Sequence, residues 1–252
     1  MHPPKLFVPA AILAFAPALL GQQLAYTILN LGTLPGESDS RAYCINNNGQ
    51  VAGVSGNAAF RGSTSRPLTS ADSIWDGPDY EPGSFGPRAM NDSGQILGTL
   101  AYSVGAQWVV LVQGDRGLDA SSVSIVPAAS GFEMAGGLNN AGQVVGTLYR
   151  DRDHWPPQSA RAFRTAPNAQ VNEATDDLGA FSDDGYSLAF GINSSGQVVG
   201  RSDGRAFRTA PNGSITAASD LGTLGSSACA LAINDSGVTV GYGYLAGSST
   251  QH

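Results

Sequence analysis

Apolar and polar positions alternate in short bursts along this chain, and the bursts recur. An apolar residue, then Asn-x-x-Gly, usually Gln, two apolar or β-branched positions and a closing Gly appear five times. The copies run from Cys44 to Gly53, Ala89 to Gly98, Gly137 to Gly146, Gly191 to Gly200 and Ala232 to Gly241. Asn at the first position of a type I turn can bond backbone amides ahead of it, and Gly three residues later can take the positive φ of a bulged hairpin. The pairs Asn46 and Gly49, Asn91 and Gly94, Asn139 and Gly142, Asn193 and Gly196, and Asn234 and Gly237 are therefore expected to close β-hairpins. Adjacent apolar residues behind the turn, such as Ile96-Leu97, Val144-Val145 and Val198-Val199, predict strands buried on both faces.

Two further pieces recur. Leu31-Gly-Thr-Leu34, Asp177-Leu-Gly-Ala-Phe181 and Asp220-Leu-Gly-Thr-Leu224 precede a turn, and Ala59-Phe-Arg61, Ala162-Phe-Arg164 and Ala206-Phe-Arg208 follow one. In the second unit Ala106-Gln-Trp108 stands at a comparable place. The turn asparagines are spaced by 45, 48, 54 and 41 residues. Four short strands per period of that length are what a β-propeller blade requires. The expected fold is all-β, a five-bladed propeller or an incomplete one. The segment from Tyr26 to Leu34 either pairs with the last unit and closes the ring or belongs to a truncated array.

These residues also resemble a family. Asp-Leu-Gly-Thr-Leu, then Ala-x-x-Ile-Asn-x-x-Gly-Gln-Val-Val-Gly, then Ala-Phe is similar to the HAF repeats of bacterial extracellular proteins, with Asp177 to Phe207 and Asp220 to Gly241 matching best. The resemblance implies an exported repeat protein of propeller-like build and no defined activity. The His of the repeat name is replaced by Ala58, Arg161 and Arg205.

The first 25 residues differ from the rest. His2 and Lys5 precede an apolar run from Leu6 to Leu20 that Pro9 and Pro17 interrupt. The run is shorter than the about 20 residues a membrane span needs, so it reads as a signal peptide cleaved between residues 18 and 25. Residues 26–252 then form one repeat domain, secreted or periplasmic, with no membrane span in the mature chain. A net charge of −7 disfavours nucleic acid as a partner, leaving a protein or a carbohydrate.

Little chemistry is on offer. Of three histidines, His2 falls in the leader and His252 at the terminus. Only His154 is left for a hydrolytic triad, and Asp151-Arg-Asp-His154 carries arginines that would repel a metal. No catalytic residue, metal site or cofactor is therefore assigned. The competing reading is a glycosidase using loop carboxylates such as Asp39, Asp92, Asp183, Asp184 and Asp235, which turn preference also explains. Gln50, Gln95, Gln143 and Gln197 either line a polar ligand site or satisfy neighbouring strands. Cys44 and Cys229, in the first and last units, are expected either to form a disulfide or to stay unpaired.

Overall fold

The computed structural model describes residues 28–75, 84–101, 107–112, 123–124, 133–149, 160–247 and 250–251. The leader segment 1–25 and the stretch Asp151 to His154 lie outside the described residues.

The fold is all-β, made of five small antiparallel sheets that follow the chain. The first contains β1 (Ser40–Ile45), β2 (Gln50–Ser55), β3 (Ala58–Ser63) and β4 (Ser73–Trp75), paired in that order. The second contains β5 (Ser84–Met90), β6 (Ile96–Ala101), β7 (Gln107–Val112) and β8 (Val123–Ser124). The third has β9 (Glu133–Leu138), β10 (Val144–Tyr149) and β11 (Ala160–Arg164), extended by a bridge between Phe163 and Asp177. The fourth has β12 (Ser187–Ile192), β13 (Val198–Ser202), β14 (Arg205–Arg208) and β15 (Asp220–Gly222). The fifth has β16 (Gly225–Ile233) and β17 (Thr239–Leu245).

Local chemistry sets the turns. Each Asn-x-x-Gly joins the first two strands of a sheet: Asn193 N–H donates to the Gln197 carbonyl at 3.1 Å and Gly196 N–H to the Asn193 carbonyl at 3.0 Å. Gly196 has φ +74°, the left-handed region that glycine enters without a Cβ penalty. Between β13 and β14, Asp203 and Gly204 both have positive φ, as the two central residues of a type I′ hairpin turn must.

The apolar pairs behind each turn divide between two cores. Ile96 packs with Ala52, Ala59, Ile74 and Phe85 at the junction of the first and second sheets, whereas Leu97 packs with Val144, Leu138 and Phe163 at the next. Val144 and Val145 split the same way, and so do Val198 and Val199. Sheets are thus stacked face to face in chain order, and each such side chain contributes about 1.5–3 kcal/mol by burial. The junction of the fourth and fifth sheets is thinner, built on Val199, Ala206, Ala228 and Ala230.

An aromatic ring lies over the closing glycine in several units. A Cβ on Gly53 would stand 2.7 Å from Phe60 Cζ, and one on Gly200 would stand 2.8 Å from Phe207 Cε1. In the second unit β7 takes the third-strand position expected for the Trp108 segment, but the ring over Gly98 is Phe85, supplied by β5. Leu31 and Leu34 pack against Val51 and Phe60 of the first sheet and Leu68 of the connection between β3 and β4. Large exposed apolar side chains gather at the two ends, with Tyr43 and Ile45 on β1, and Leu231, Val238, Val240 and Leu245 in the last unit.

Candidate functional site

The recurrent asparagines stand one per sheet and are wired to each other. Asn46 Nδ2 donates to the Asn91 carbonyl at 3.0 Å, Asn91 to Asn139 at 3.1 Å, Asn139 to Asn193 at 3.1 Å and Asn193 to Asn234 at 3.1 Å. The same Nδ2 groups also donate to Gln50, Gln95, Gln143 and Gln197 Oε1, each four residues ahead. Each Asn Oδ1 accepts the backbone amide of the fourth residue on, as from Gln95 at 3.0 Å and Gln197 at 3.0 Å. Asn91, Asn139 and Asn193 are buried, and their amide groups are satisfied within the protein, as burial demands.

Gln95 and Gln143 are occupied on their other side as well. Gln95 Nε2 donates to Asn168 Oδ1 at 2.7 Å and Gln143 Nε2 to Asn212 Oδ1 at 3.2 Å. Asn168 and Asn212 end the Thr-Ala-Pro-Asn stretches and hold left-handed φ values of 56° and 52°. The arginines of the third strands reach the next unit: Arg61 donates to the Gly94 carbonyl at 2.9 Å, and Arg164 and Arg208 do the same to Gly196 and Gly237. Asn, Gln, Gly and Arg of the recurrent motif therefore form a framework between sheets.

The carboxylates near the turns are tied into the same framework. Asp92 accepts from the side-chain amide and backbone N–H of Asn47, both at 3.0 Å, and from Asn140 Nδ2 at 2.8 Å. Those bonds, the Asn47 side chain first, hold its carboxyl below the usual range. The Ser194 backbone N–H, at 2.9 Å, acts on Asp235 in the same direction, helped by the Ser194 hydroxyl. Groups fixed as anions in this way are poor general acids, which need a raised pKa.

A different row lies outside the Asn and Gln framework. Every first strand is bulged just before its turn: the pairing shifts between Ala42 and Cys44 in β1, Pro87 and Ala89 in β5, Ala189 and Gly191 in β12, and Ala230 and Ala232 in β16. In β9 the break skips Gly136, since Gly137 pairs with Val145 and Ala135 with Gly146. The extra residues are Tyr43, Arg88, Gly136, Phe190 and Leu231. First strands of consecutive sheets adjoin: Arg88 Nη2 donates to the Ala135 carbonyl at 3.5 Å, and a Cβ on Gly191 would stand 3.4 Å from Ala232 Cα. Tyr43 is 54% and Leu231 45% exposed, Arg88 is exposed and Phe190 half-buried. Bulges re-aim one side chain out of the pleat, and here they present Tyr43, Arg88, Phe190 and Leu231 at equivalent places, while Gly136 lies so close to the Ala189 carbonyl that a Cβ would stand 2.5 Å from its oxygen. The row is not legible in the sequence, because the bulge shifts the in-and-out phase by one residue and no residue type marks the place.

No family model matches this chain, and no curated protein or solved structure does either.

The disulfide considered between Cys44 and Cys229 is not formed, and both are free thiols. Their packing explains it. Cys44 lies against the Ala52, Phe85 and Ile96 core of the first two sheets, while Cys229 is buried in β16 with Sγ 3.9 Å from the Ala230 carbonyl. Burial pushes the Cys44 thiol up to about 11 and the Cys229 thiol upward too. Among the described residues, no helix is long and apolar enough to cross a membrane, and no three His, Cys, Asp or Glu side chains are grouped as metal ligands. One pocket of about 410 Å³ lies between the fourth and fifth sheets, lined by residues such as Ala206, Leu221, Leu224 and Gly241 and by no carboxylate.

Proposed function

We propose that this chain is an exported, non-catalytic binding module of five HAF-type units, arranged as a five-bladed β-propeller or an incomplete one. The observation that carries the reading is the row of bulge residues Tyr43, Arg88, Gly136, Phe190 and Leu231. A framework of repeated Asn, Gln and Arg bonds holds five neighbouring strands in place, and the one position released from the pleat differs in every unit. Aromatic rings, an arginine and an aliphatic side chain in one row suit a protein surface or the face of a sugar. Of the five carboxylates open to the glycosidase alternative, Asp92 and Asp235 are engaged by Asn47, Asn140 and Ser194 of adjoining turns.

The test is a glycan-array screen and a binding assay against exported proteins, run on residues 26–252 with and without Tyr43→Ala and Phe190→Ala together. The expected result is a ligand whose affinity falls at least about 10-fold in the double variant, the scale of losing an aromatic anchor. A ligand indifferent to both substitutions would remove the row from the reading.

A further inference from the structure

The fourth sheet shows what fills the space beside a closing glycine. Phe207 of β14 lies over Gly200 and is wholly buried, packed with Ala162, Leu178, Ala189 and Val198, with Phe181 alongside. Its strand is antiparallel to β13, with Phe207 opposite Gly200 and Ala206 opposite Arg201.

The same surroundings exist one unit further on, around empty space. Counting from the turns and from the Ala-Phe-Arg and Asp-Leu-Gly stretches, Ala206 occupies the place of Ala162, Leu221 that of Leu178, and Leu224 that of Phe181. Ala230 likewise replaces Ala189, Thr239 replaces Val198 and Gly241 replaces Gly200. All six line the pocket of about 410 Å³. Leu221 and Leu224 are 46% and 56% exposed, whereas Leu178 is 2% exposed. Beside the pocket runs the outer edge of β17, whose described pairing on that side is one antiparallel bridge between Tyr244 and Gln251. Among the described residues, no strand pairs with this edge from Thr239 to Gly243. A free strand edge next to a vacant aromatic pocket is the geometry of strand addition, in which main-chain bonds give affinity and the pocket gives selectivity.

We propose that the edge of β17 takes an extended peptide strand bearing an aromatic residue after a small one. The strand lies antiparallel to β17 with its aromatic side chain over Gly241, its small residue opposite Tyr242 and the following residue opposite Val240. In the other units that last position is held by Arg61, Arg164 and Arg208. The pocket wall selects the ring: Ala206, Ala230 and Gly241 leave room for it, and the two exposed leucines close over its faces. This peptide-binding edge is separate from the bulge row, so either can fail without the other.

The experiment uses residues 26–252 and a synthetic peptide, Ala-Arg-Ala-Phe-Arg-Thr, which copies the sequence from Ala160 to Thr165. Labelled peptide is titrated by fluorescence anisotropy, beside a control with Ala in place of Phe. Saturable binding at least about 10-fold tighter for the Phe peptide is expected, the scale of burying one phenylalanine ring. Leu224→Asp should abolish the preference while leaving the urea midpoint of the chain unchanged, because Leu224 is exposed in the free protein. Tyr43→Ala should leave it intact. Equal affinity for the two peptides, or binding that survives Leu224→Asp, overturns the proposal. So does sedimentation showing that a second copy of the chain covers this edge and excludes the peptide.

Discussion

Val198 and Val199 are neighbours in β13, both wholly buried, and they belong to different cores. Val198 meets Phe207, Leu178 and Ala162, whereas Val199 faces Ala228 and Ala230 of the next sheet. Truncating either to Ala should cost about 2 kcal/mol through lost burial and a small cavity. The losses should fall in different places. Hydrogen exchange should show Val199→Ala releasing β16 and β17 first, because their junction is mostly alanine, while Val198→Ala loosens the third and fourth sheets together.

Asn139→Ala removes the amide that bridges Gln143 and the Asn193 carbonyl, and strands the backbone N–H of Gln143 that used its Oδ1. The site is buried, so the groups left behind cannot turn to water. A loss of about 2–3 kcal/mol is expected. Asn234→Ala, at an exposed position where Oδ1 serves only the Val238 N–H, should cost under about 1 kcal/mol. Urea midpoints of the two variants measure the contrast.

The strand plan and the turns can be read from residues because both are local. Asn193 and Gly196 sit three apart and make one turn, and Phe207 follows Gly200 within one hairpin. The wiring between units is not legible, because its partners are 41–54 residues apart and a carbonyl oxygen has no residue type. Phe85 illustrates a second limit: the ring over Gly98 comes from β5, so the same space is filled from a different strand. The bulge row escaped for a third reason: one extra residue shifts the in-and-out phase, so that Ala42 and Cys44, two apart, pair with the adjacent Gly53 and Ala52, and no residue type marks where the shift falls.

Gly196 and Gly204 should respond differently to alanine. Both have positive φ, so each variant incurs the left-handed penalty of about 1 kcal/mol. Around Gly204 nothing stands within 4 Å of a new Cβ, but at Gly196 the Cβ would collide with Asn212 Oδ1. Asn212 also holds left-handed φ and accepts from Gln143, so it has little freedom to retreat. Thermal unfolding should place Gly196→Ala at least about 1 kcal/mol below Gly204→Ala.

Asp72 is buried and receives both guanidinium nitrogens of Arg66, at 2.6 and 2.7 Å, together with the Thr69 N–H and hydroxyl. The Arg66 bonds lead in holding its carboxyl at about 2, below the ordinary 3.8. The folded state therefore binds this proton less readily than the unfolded chain. The stabilisation is complete above 3.8 and is lost as pH falls through about 2. Arg66 is 46% exposed, and solvent screening limits the contribution to about 1 kcal/mol. The stability difference between wild type and Asp72→Asn, measured from pH 6 to pH 2, should shrink over that interval.

Cys44, half-buried, and Cys229, buried, should behave as two free thiols. With both pushed above the usual range by burial, reaction with a disulfide reagent at pH 8 should be slow in the folded protein and rapid in urea. Two thiols per chain should titrate after unfolding, and reductant should leave the urea midpoint unchanged. A midpoint that drops in reductant would mean a bond between them.

The amide-to-carbonyl contacts of the five turn asparagines all run the same way along the chain, from Asn46 to Asn91, onward to Asn139 and Asn193, and finally to Asn234. The stack therefore has a head and a tail. Its first turn offers a carbonyl at Asn46 and its last a side-chain donor at Asn234, so two like ends brought face to face would set donor against donor or acceptor against acceptor. A two-fold dimer through these ends is disfavoured by that mismatch, and only head-to-tail joining, within one molecule or between several, continues the pattern.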